Sequence, residues 1–454
     1  MEDGNNSAAI IEWLDKHKIL EVEIIVCDFA GIARGKLMPR DKFVKALGGN
    51  DLRMPDSIFS LTIDGEYALN EFLEDMEADL YLIPEYDSLR LTPWRKKPTA
   101  SVICNLIDDN NEISKMSPRQ VLKNVLQLYK DKGWQPIVAP EFEFHLIALP
   151  GDSVDAPRAA SGKSGKPNDD KGMFSLSGLD DFEAMFNDVR RYCEIMQVPI
   201  DTLEQEAGKG QFEINMSHGD PIEVADQAIY FKRALKQAAI DHGVCATFVA
   251  KPFPEDYGNS MHIHQSLVGL QDGKNIFADD DGENTDIFHS YIAGLQKYLP
   301  NLMPIFAPYQ NSYLRFGSGL SSPANLHWGV ENRSVGLRIP AGKSRAARRV
   351  ENRIAGSDVN PYLVFAASLL AGYIGIDQNL TPSDAITDSA YEIKTLLLPD
   401  NIYAALNNFE NSKMNREYLG DEFVTTFRDV KKLECRGNAS RLTEWEIRYM
   451  LANI

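Results

Sequence analysis

Positive charge is what this 454-residue sequence most clearly lacks: 47 Lys and Arg stand against 66 Asp and Glu, a formal net charge of −19. Such a chain is unsuited to neutralising a phosphate backbone, so nucleic acid is excluded as a partner. Small cations are drawn toward it, though only within a Debye length. Cysteine is scarce as well. Cys27, Cys104, Cys193, Cys245 and Cys435 are scattered, odd in number and without metal-ligand spacing, which excludes a disulfide framework and predicts reduced core thiols. No apolar run reaches the length of a membrane span, and there is no internal repeat or heptad array. The opening MEDGNNSAAIIEWLDKHK is acidic and lacks the basic-then-apolar order of a signal peptide, so a cytoplasmic address without a membrane partner is expected.

What is present suits a globular protein of two domains or more, with 44% hydrophobic and 25% charged residues. An amphipathic helix, IIEWLDKHK, leads into a unit over 15–109 with strand-like EVEIIVCDF, ADLYLIP and ASVICNLID, read as a small mixed sheet. Ser117 and Pro118 form an N-cap and N1 pair ahead of QVLKNVLQLYKDKG, with Gly133 as the stop, so the second unit spans 116–454. Residues 150–172, rich in Gly, Ser, Pro and Asp, read as a mobile surface loop or lid. Helical periodicity is expected over 181–197, 223–243 and 360–376. The tail 401–454 is expected to be helical, broken near Asn407–Lys413 and Arg436–Ser440, and packed on the outside.

Four segments carry the chemistry. Each alternates apolar residues with ionisable or amide groups: Glu141, Glu143 and His145; Gln211, Glu213 and Asn215; His262, His264 and Ser266; Arg349, Glu351 and Arg353. Period two sets each group on one face of a strand. A solvated face alternates too, but usually mixes Lys, Thr, Ser and Glu, whereas these faces hold ligands for hard divalent cations and fork-shaped phosphate partners.

The runs PEFEFHL, GQFEIN, SMHIHQSL, NSYLRF, NRSVGLRIP and RVENRIAGSDVNPYLVFAA, in this order and spacing, resemble the glutamine synthetase family, with the γ-glutamylpolyamine synthetases as the nearest branch. The resemblance covers nearly the whole chain, including DFAGIARGKLMP near its start. It implies an α+β protein with an N-terminal β-grasp domain and a C-terminal catalytic domain whose curved antiparallel sheet is flanked by helices. It also implies homo-oligomers of stacked hexameric rings, a dodecamer with active sites between subunits. Two or more Mg²⁺ or Mn²⁺ ions are implied per site, with ATP as co-substrate. Glu143, Glu206 and Glu213 match the ligands of one ion, and Glu141, His262 and Glu351 those of the other. His264, Ser266, Arg338 and Arg349 match nucleotide contacts, and Arg333 matches the arginine that stabilises the transferring phosphoryl group. Arg315 and Arg353 match the residues that hold glutamate's carboxylates, and Gly258 matches the carbonyl that receives its amino group.

Departures from the family pattern point to the acceptor. Where ammonium-using members carry a flap glutamate, counting through FGSGLS from Arg315 reaches Ser321, whose hydroxyl supplies no anionic charge. Where they have asparagine, this chain has Tyr257, able to line an alkyl pocket or simply to pack. These two differences favour a γ-glutamyl amide formed from glutamate and an organic primary amine, a polyamine such as putrescine or spermidine ahead of ethanolamine or an alkylamine. Asp56 and Asp64 are candidates for taking the amine's proton in a neighbouring subunit. A true glutamine synthetase with an altered flap, a non-catalytic sensor and an unrelated guanidino kinase or ligase remain as alternatives. No adenylylation is expected at Tyr391, which lacks the Asp-Leu-Pro context.

Overall fold

The computed structural model describes residues 3–49, 51–73, 79–149, 151, 156–169, 172–316, 322–342, 344–440 and 450. Its first sheet comprises β1 (Glu21–Cys27), β2 (Ala33–Pro39), β3 (Arg53–Pro55), β4 (Asp79–Pro84), β5 (Arg90–Leu91) and β6 (Thr99–Ile107), ordered β2-β1-β6-β4-β3 with β5 beside β6. The β1–β2 hairpin is antiparallel while β1 and β6 run parallel, giving the mixed sheet of a β-grasp. Helices α1 (Asp3–Lys16) and α2 (Arg40–Gly49) accompany it.

Helix α3 (Pro118–Asp131) follows, with Ser117 at its N-cap position and Gly133 at φ +77° just beyond its end. It leads into the second sheet: β7 (Trp134–Ala148), β8 (Ile200–Gln205), β9 (Gln211–Met216), β10 (Val244–Thr247), β11 (Met261–Gly269), β12 (Trp328–Val330), β13 (Leu337–Ile339) and β14 (Val350–Asn352). The order is β12-β13-β14-β11-β7-β9-β8, with β10 taking the place of β11 beside the end of β7. All these pairs are antiparallel except β12–β13.

Its helices are α4 (Leu176–Asp181), α5 (Glu183–Ile195), α6 (Pro221–Asp241), α7 (Asp286–Phe306), α8 (Gln310–Tyr313), α9 (Pro361–Asp377), α10 (Ile402–Asn411), α11 (Lys413–Leu419) and α12 (Asp421–Ala439). The three longest of these apart from α12 begin on side-chain caps that accept backbone N–H groups, Asp220 for α6, Thr285 for α7 and Asn360 for α9, as do α10 on Asn401 and α11 on Ser412. The apolar half of each alternating strand faces these helices. Phe142, Phe144, Phe212, Met261, Ile263 and Val350 are wholly buried, and the Phe142 ring lies tilted against Phe231 of α6 with centres 5.5 Å apart.

Two expectations are corrected. The tail does not pack on the outside, because Phe423 and Phe427 of α12 enter the core against Phe29, with ring centres 5.4 and 5.6 Å away. Lys431 of α12 is fully buried over the Tyr309 ring and paired with Glu434. The described part of the loop at 150–172 is tied down, since the Ala160 N–H donates to Leu146 and the Ala148 N–H to Arg158.

The two sheets are joined by buried charge. Arg119 of α3 grips Asp226 of α6 with two bonds of 3.0 and 3.1 Å and reaches Glu85 beside β4 at 2.8 Å, while the Tyr362 hydroxyl donates to Asp226 at 2.5 Å. Removing one partner strands the other's charge away from water. Asp226→Ala should therefore cost roughly 3–5 kcal/mol, and the double replacement Arg119→Met with Asp226→Leu should recover most of it, in denaturation curves at fixed protein concentration.

Candidate active site

Register explains how distant residues meet. Residues directly opposite on paired strands share a face. Glu204 lies opposite Glu213, Glu213 opposite Glu143, Glu141 opposite His262, His264 opposite Glu351, and Glu351 opposite Arg338. Six strands thus carry one continuous ionisable face. It lines a cavity of about 240 Å³ that also takes in Glu206, Arg333, Arg353, Tyr257 and Gly258.

Among the described residues, three overlapping groups have ligand atoms within 4.8 Å of one another: Glu141, His262 and Glu351; Glu143, Glu213 and His262; Glu204, Glu206 and Glu213. The first is the set expected for one ion. The set expected for the other, Glu143, Glu206 and Glu213, is distributed over the second and third groups. Glu204 was not singled out in the sequence. Its signal was available, two residues before Glu206 and in alternation with Leu203 and Gln205. A carboxylate and imidazole donor set of this density fits hard divalent cations.

Ionisation is uneven across the face. Burial opposes charge on Glu141, but hydrogen bonds from His262 and His264, at 3.1 and 2.8 Å, hold it well below the usual carboxylate range. Burial likewise opposes Glu351, yet Arg353, His262, His264 and Arg338 outweigh it and bring it to about 2. Across the cavity burial prevails over the Ser260 N–H and the arginine charges that oppose it at Glu143. It combines with neighbouring carboxylates to push Glu143 up to about 8 and Glu213 up to about 10, and Glu206 and Glu204 also rise. Burial, aided by the charge of Arg353, lowers His262 and keeps it neutral, the form that ligates metal. The Ser260 N–H fixes Glu143 at 2.7 Å, and Gln211 bridges Glu143, the Gly258 carbonyl and Asn259. No side chain fits at Gly258, where a Cβ would lie 2.5 Å from the Ala250 carbonyl.

A neighbouring cavity of about 580 Å³ shares Glu141 and Asn215 with the first and is lined by His264, Ser266 and Arg349 together with His218 and Arg348. The Arg349 Nε–H donates to His264 Nδ1 at 3.1 Å, leaving the ring proton on Nε2 for Glu141. Three of the four expected nucleotide contacts therefore come together here. Arg338 instead stands in the carboxylate cavity on Glu351, at 2.5 Å, and on Glu331.

Arg333 is exposed on the cavity wall and, among the described residues, has no ion-pair partner. Arg353 lines the cavity on Glu351. Arg315 does not line it. This side chain is buried behind the wall, donating to Ser260 Oγ at 2.8 Å and to the Ile354 carbonyl. Tyr257 is half-buried at the rim, joined by Met173 and Phe174, which the sequence reading missed. Ser321 lies outside the described residues. Asp56 and Asp64 line neither cavity of their own chain, and Asp64 accepts the Thr62 hydroxyl at 2.6 Å.

The family model for the catalytic domain of glutamine synthetase matches residues 115–450. The chain belongs to the glutamine synthetase family. Relatives within it include the glutamate–isopropylamine ligase of a Pseudomonas species, 32% identical over 464 residues and 99% of each chain. The gamma-glutamylputrescine synthetase PuuA of Escherichia coli K12 is 34% identical over 440 residues, 95% of this chain and 92% of that one. A solved GmaS/ADP complex is 26% identical and superposes at a TM-score of 0.82, covering 97% of this chain and 99% of that one.

The raised carboxylates set a pH dependence for this family member. Glutamates in an unfolded chain titrate near pH 4.3. Between there and the folded values of Glu143 and Glu213, the metal-free protein keeps protons that the unfolded chain has lost. Their contribution to stability is full below the unfolded value and disappears as pH rises through the folded values. Without metal, the melting temperature should fall as pH is raised from about 5 to 8, and saturating Mg²⁺ should flatten the profile. Calorimetry in two buffers of different ionisation enthalpy should record release of about one to two protons on Mg²⁺ binding at pH 7.

Proposed function

We propose that this chain is an ATP-dependent glutamate–amine ligase that joins the γ-carboxyl of glutamate to an organic primary amine, a polyamine such as putrescine or spermidine in first place. The observation that carries the ligase reading is the single ionisable face shared by six strands, with a nucleotide-sized cavity opening beside it at Glu141. The amine reading rests on the named relatives that act on isopropylamine and putrescine, and on Ser321 and Tyr257 in place of the residues that ammonium-using members carry.

A carboxylate resists an amine because its carbonyl is resonance-stabilised and oxide is a poor leaving group. The γ-phosphoryl group of ATP must first move to a γ-carboxylate oxygen of glutamate, breaking the bond to ADP and forming an acyl phosphate. The amine nitrogen then attacks the acyl carbon, phosphate leaves, and a base takes the amine's proton. Two or more Mg²⁺ or Mn²⁺ ions would be held by the three overlapping groups, with Glu143, Glu206 and Glu213 on one side and Glu141, His262 and Glu351 on the other, and would supply charge neutralisation between the two anions.

The chain's own residues do the rest. His264, Ser266 and Arg349 bind the nucleotide, and Arg338 reaches its phosphates from the carboxylate cavity. Arg333, uncommitted among the described residues, meets charge on the equatorial oxygens of the transferring group. Arg353 and the Gly258 carbonyl orient glutamate, with Arg315 stiffening the wall behind them through Ser260 and holding a glutamate carboxylate once the wall yields. Residues 15–109 act as a β-grasp unit that contributes Asp56 or Asp64 to a neighbour's site in stacked hexameric rings, and 116–454 carry the chemistry. A cytoplasmic address accompanies this reading.

Phosphate release from ATP, glutamate and Mg²⁺ with ammonium, putrescine, spermidine, ethanolamine or methylamine at matched concentrations decides the acceptor. An organic amine should exceed ammonium by at least about tenfold in kcat/KM, equivalent to about 1.4 kcal/mol of transition-state preference. Ammonium as the best acceptor would make the chain a glutamine synthetase, and no turnover with any amine would favour a sensor. Ser321→Glu should raise turnover with ammonium and lower it with the best amine. Equal changes for both acceptors would remove Ser321 from acceptor selection.

A further inference from the structure

A third cavity, of about 690 Å³, lies away from the ionisable face, between the β1–β2 turn at Ala30–Ala33 and a surface made by α6 and β10. Its walls are largely aliphatic and aromatic. Ile63, Ile240 and Val249, which are 55%, 57% and 44% exposed, converge on this one rim above Phe248 and Ile229. The charge inside is opposite in sign to that of the acidic chain, because Lys232, Arg233 and Lys236 face a single carboxylate, Asp358.

The charged groups are not equally committed. Arg233 pairs with Glu23 at 2.6 Å, and Asp358 accepts the Ser312 hydroxyl at 2.6 Å. Lys232 donates to the carbonyls of Ser357 and Val359 at 2.7 and 3.2 Å, its ammonium 4.9 Å from the centre of the Phe248 ring. The Lys236 ammonium stands 5.8 Å from the same ring centre. Among the described residues, no carboxylate lies within ion-pair distance of either lysine, and Lys236 has no hydrogen bond. Lys232 is half-buried and Lys236 stays exposed at the mouth; burial draws both below the ordinary lysine value, Lys232 to about 7 with the neighbouring Lys236 charge adding to the fall and Asp358 opposing it.

We propose that this cavity is a second ligand site, selective for a small organic anion with an apolar body. Its head group would bridge Lys236 and Lys232, and its hydrocarbon would lie along Phe248, Ile240, Val249 and Ile63. A cavity of this size holds a ligand of several carbons, and the paired ammonium groups discriminate a carboxylate from an amine of the same length. None of its lining residues belongs to the catalytic or nucleotide cavity. It borders the segment at Tyr309 and Asn311, and Asp358 on its wall is bonded to Ser312 of α8. An occupant therefore braces the first sheet against the chain that leads to Arg315.

Octanoate is the probe, titrated calorimetrically into the intact protein with saturating Mg²⁺, ADP and glutamate, and octylammonium is the control. Saturable octanoate binding is expected with and without ADP and glutamate, with none for octylammonium. Lys236→Glu should weaken it at least tenfold and Val249→Trp should abolish it, both retaining wild-type turnover and assembly. If Lys236→Glu fails to fold, Lys236→Met replaces it with the same expected loss. Equal binding of octylammonium, displacement of octanoate by ADP or glutamate, or undiminished affinity in both variants would overturn the proposal. So would loss of the oligomer in Val249→Trp, which would assign the rim to a subunit contact.

Discussion

Carboxylates set opposite one another on neighbouring strands repel, and the second sheet lines up Glu204, Glu213 and Glu143 in such a row. The rest of the site is arranged around that repulsion. At the Glu351 end the chain supplies its own cations, Arg338 and Arg353, with His262 and His264 on Glu141, and these acids stay ionised. At the Glu213 end the more distant Arg315, Arg333 and Arg353 do not outweigh burial and mutual repulsion, and the acids hold protons. The two ends would therefore meet a cation differently, one as a preformed anionic socket and the other by exchanging protons for the ion.

A face so unfavourable in isolation persists because the opposite face of the same strands is so favourable. Phe142 and Phe144 flank Glu143 in sequence and point the other way, into the aromatic cluster with Phe212, Phe231 and Phe248. Sliding β7 by one residue would expose those rings and bury the acids, so apolar packing fixes the register that creates the site. Helix α6 extends this support to the first sheet, since it carries both Phe231 against β7 and Asp226 against Arg119.

Much of this was legible from residue order alone. Alternation at 141–145, 211–215 and 262–266 identified the face, because period two is a local property of a strand and survives into the fold. The split of the expected Glu143, Glu206 and Glu213 set between two groups was not legible, since it depends on the register of β8 against β9, which a short irregularity between Ile200 and Leu203 shifts. The retreat of Arg315 behind Ser260 was hidden for a similar reason: an arginine in a motif reads the same whether its guanidinium faces a cavity or a backbone carbonyl. Composition misled for the tail, where Phe423, Phe427 and Lys431 are spaced as on any amphipathic helix and only contact with Phe29 and Tyr309 shows that α12 closes the core.

The ligand-bearing groups on this chain sit mainly on strands, whereas Met173, Phe174 and Tyr257 at the rim sit on connections between elements. Phe174 even holds a left-handed conformation, φ +62°, which a strand would not permit. This separation makes the fold modular in descent. Rim positions can be exchanged without disturbing sheet register, so the mouth of the cavity is free to change in shape and polarity while the strand-borne ionisable face is inherited intact.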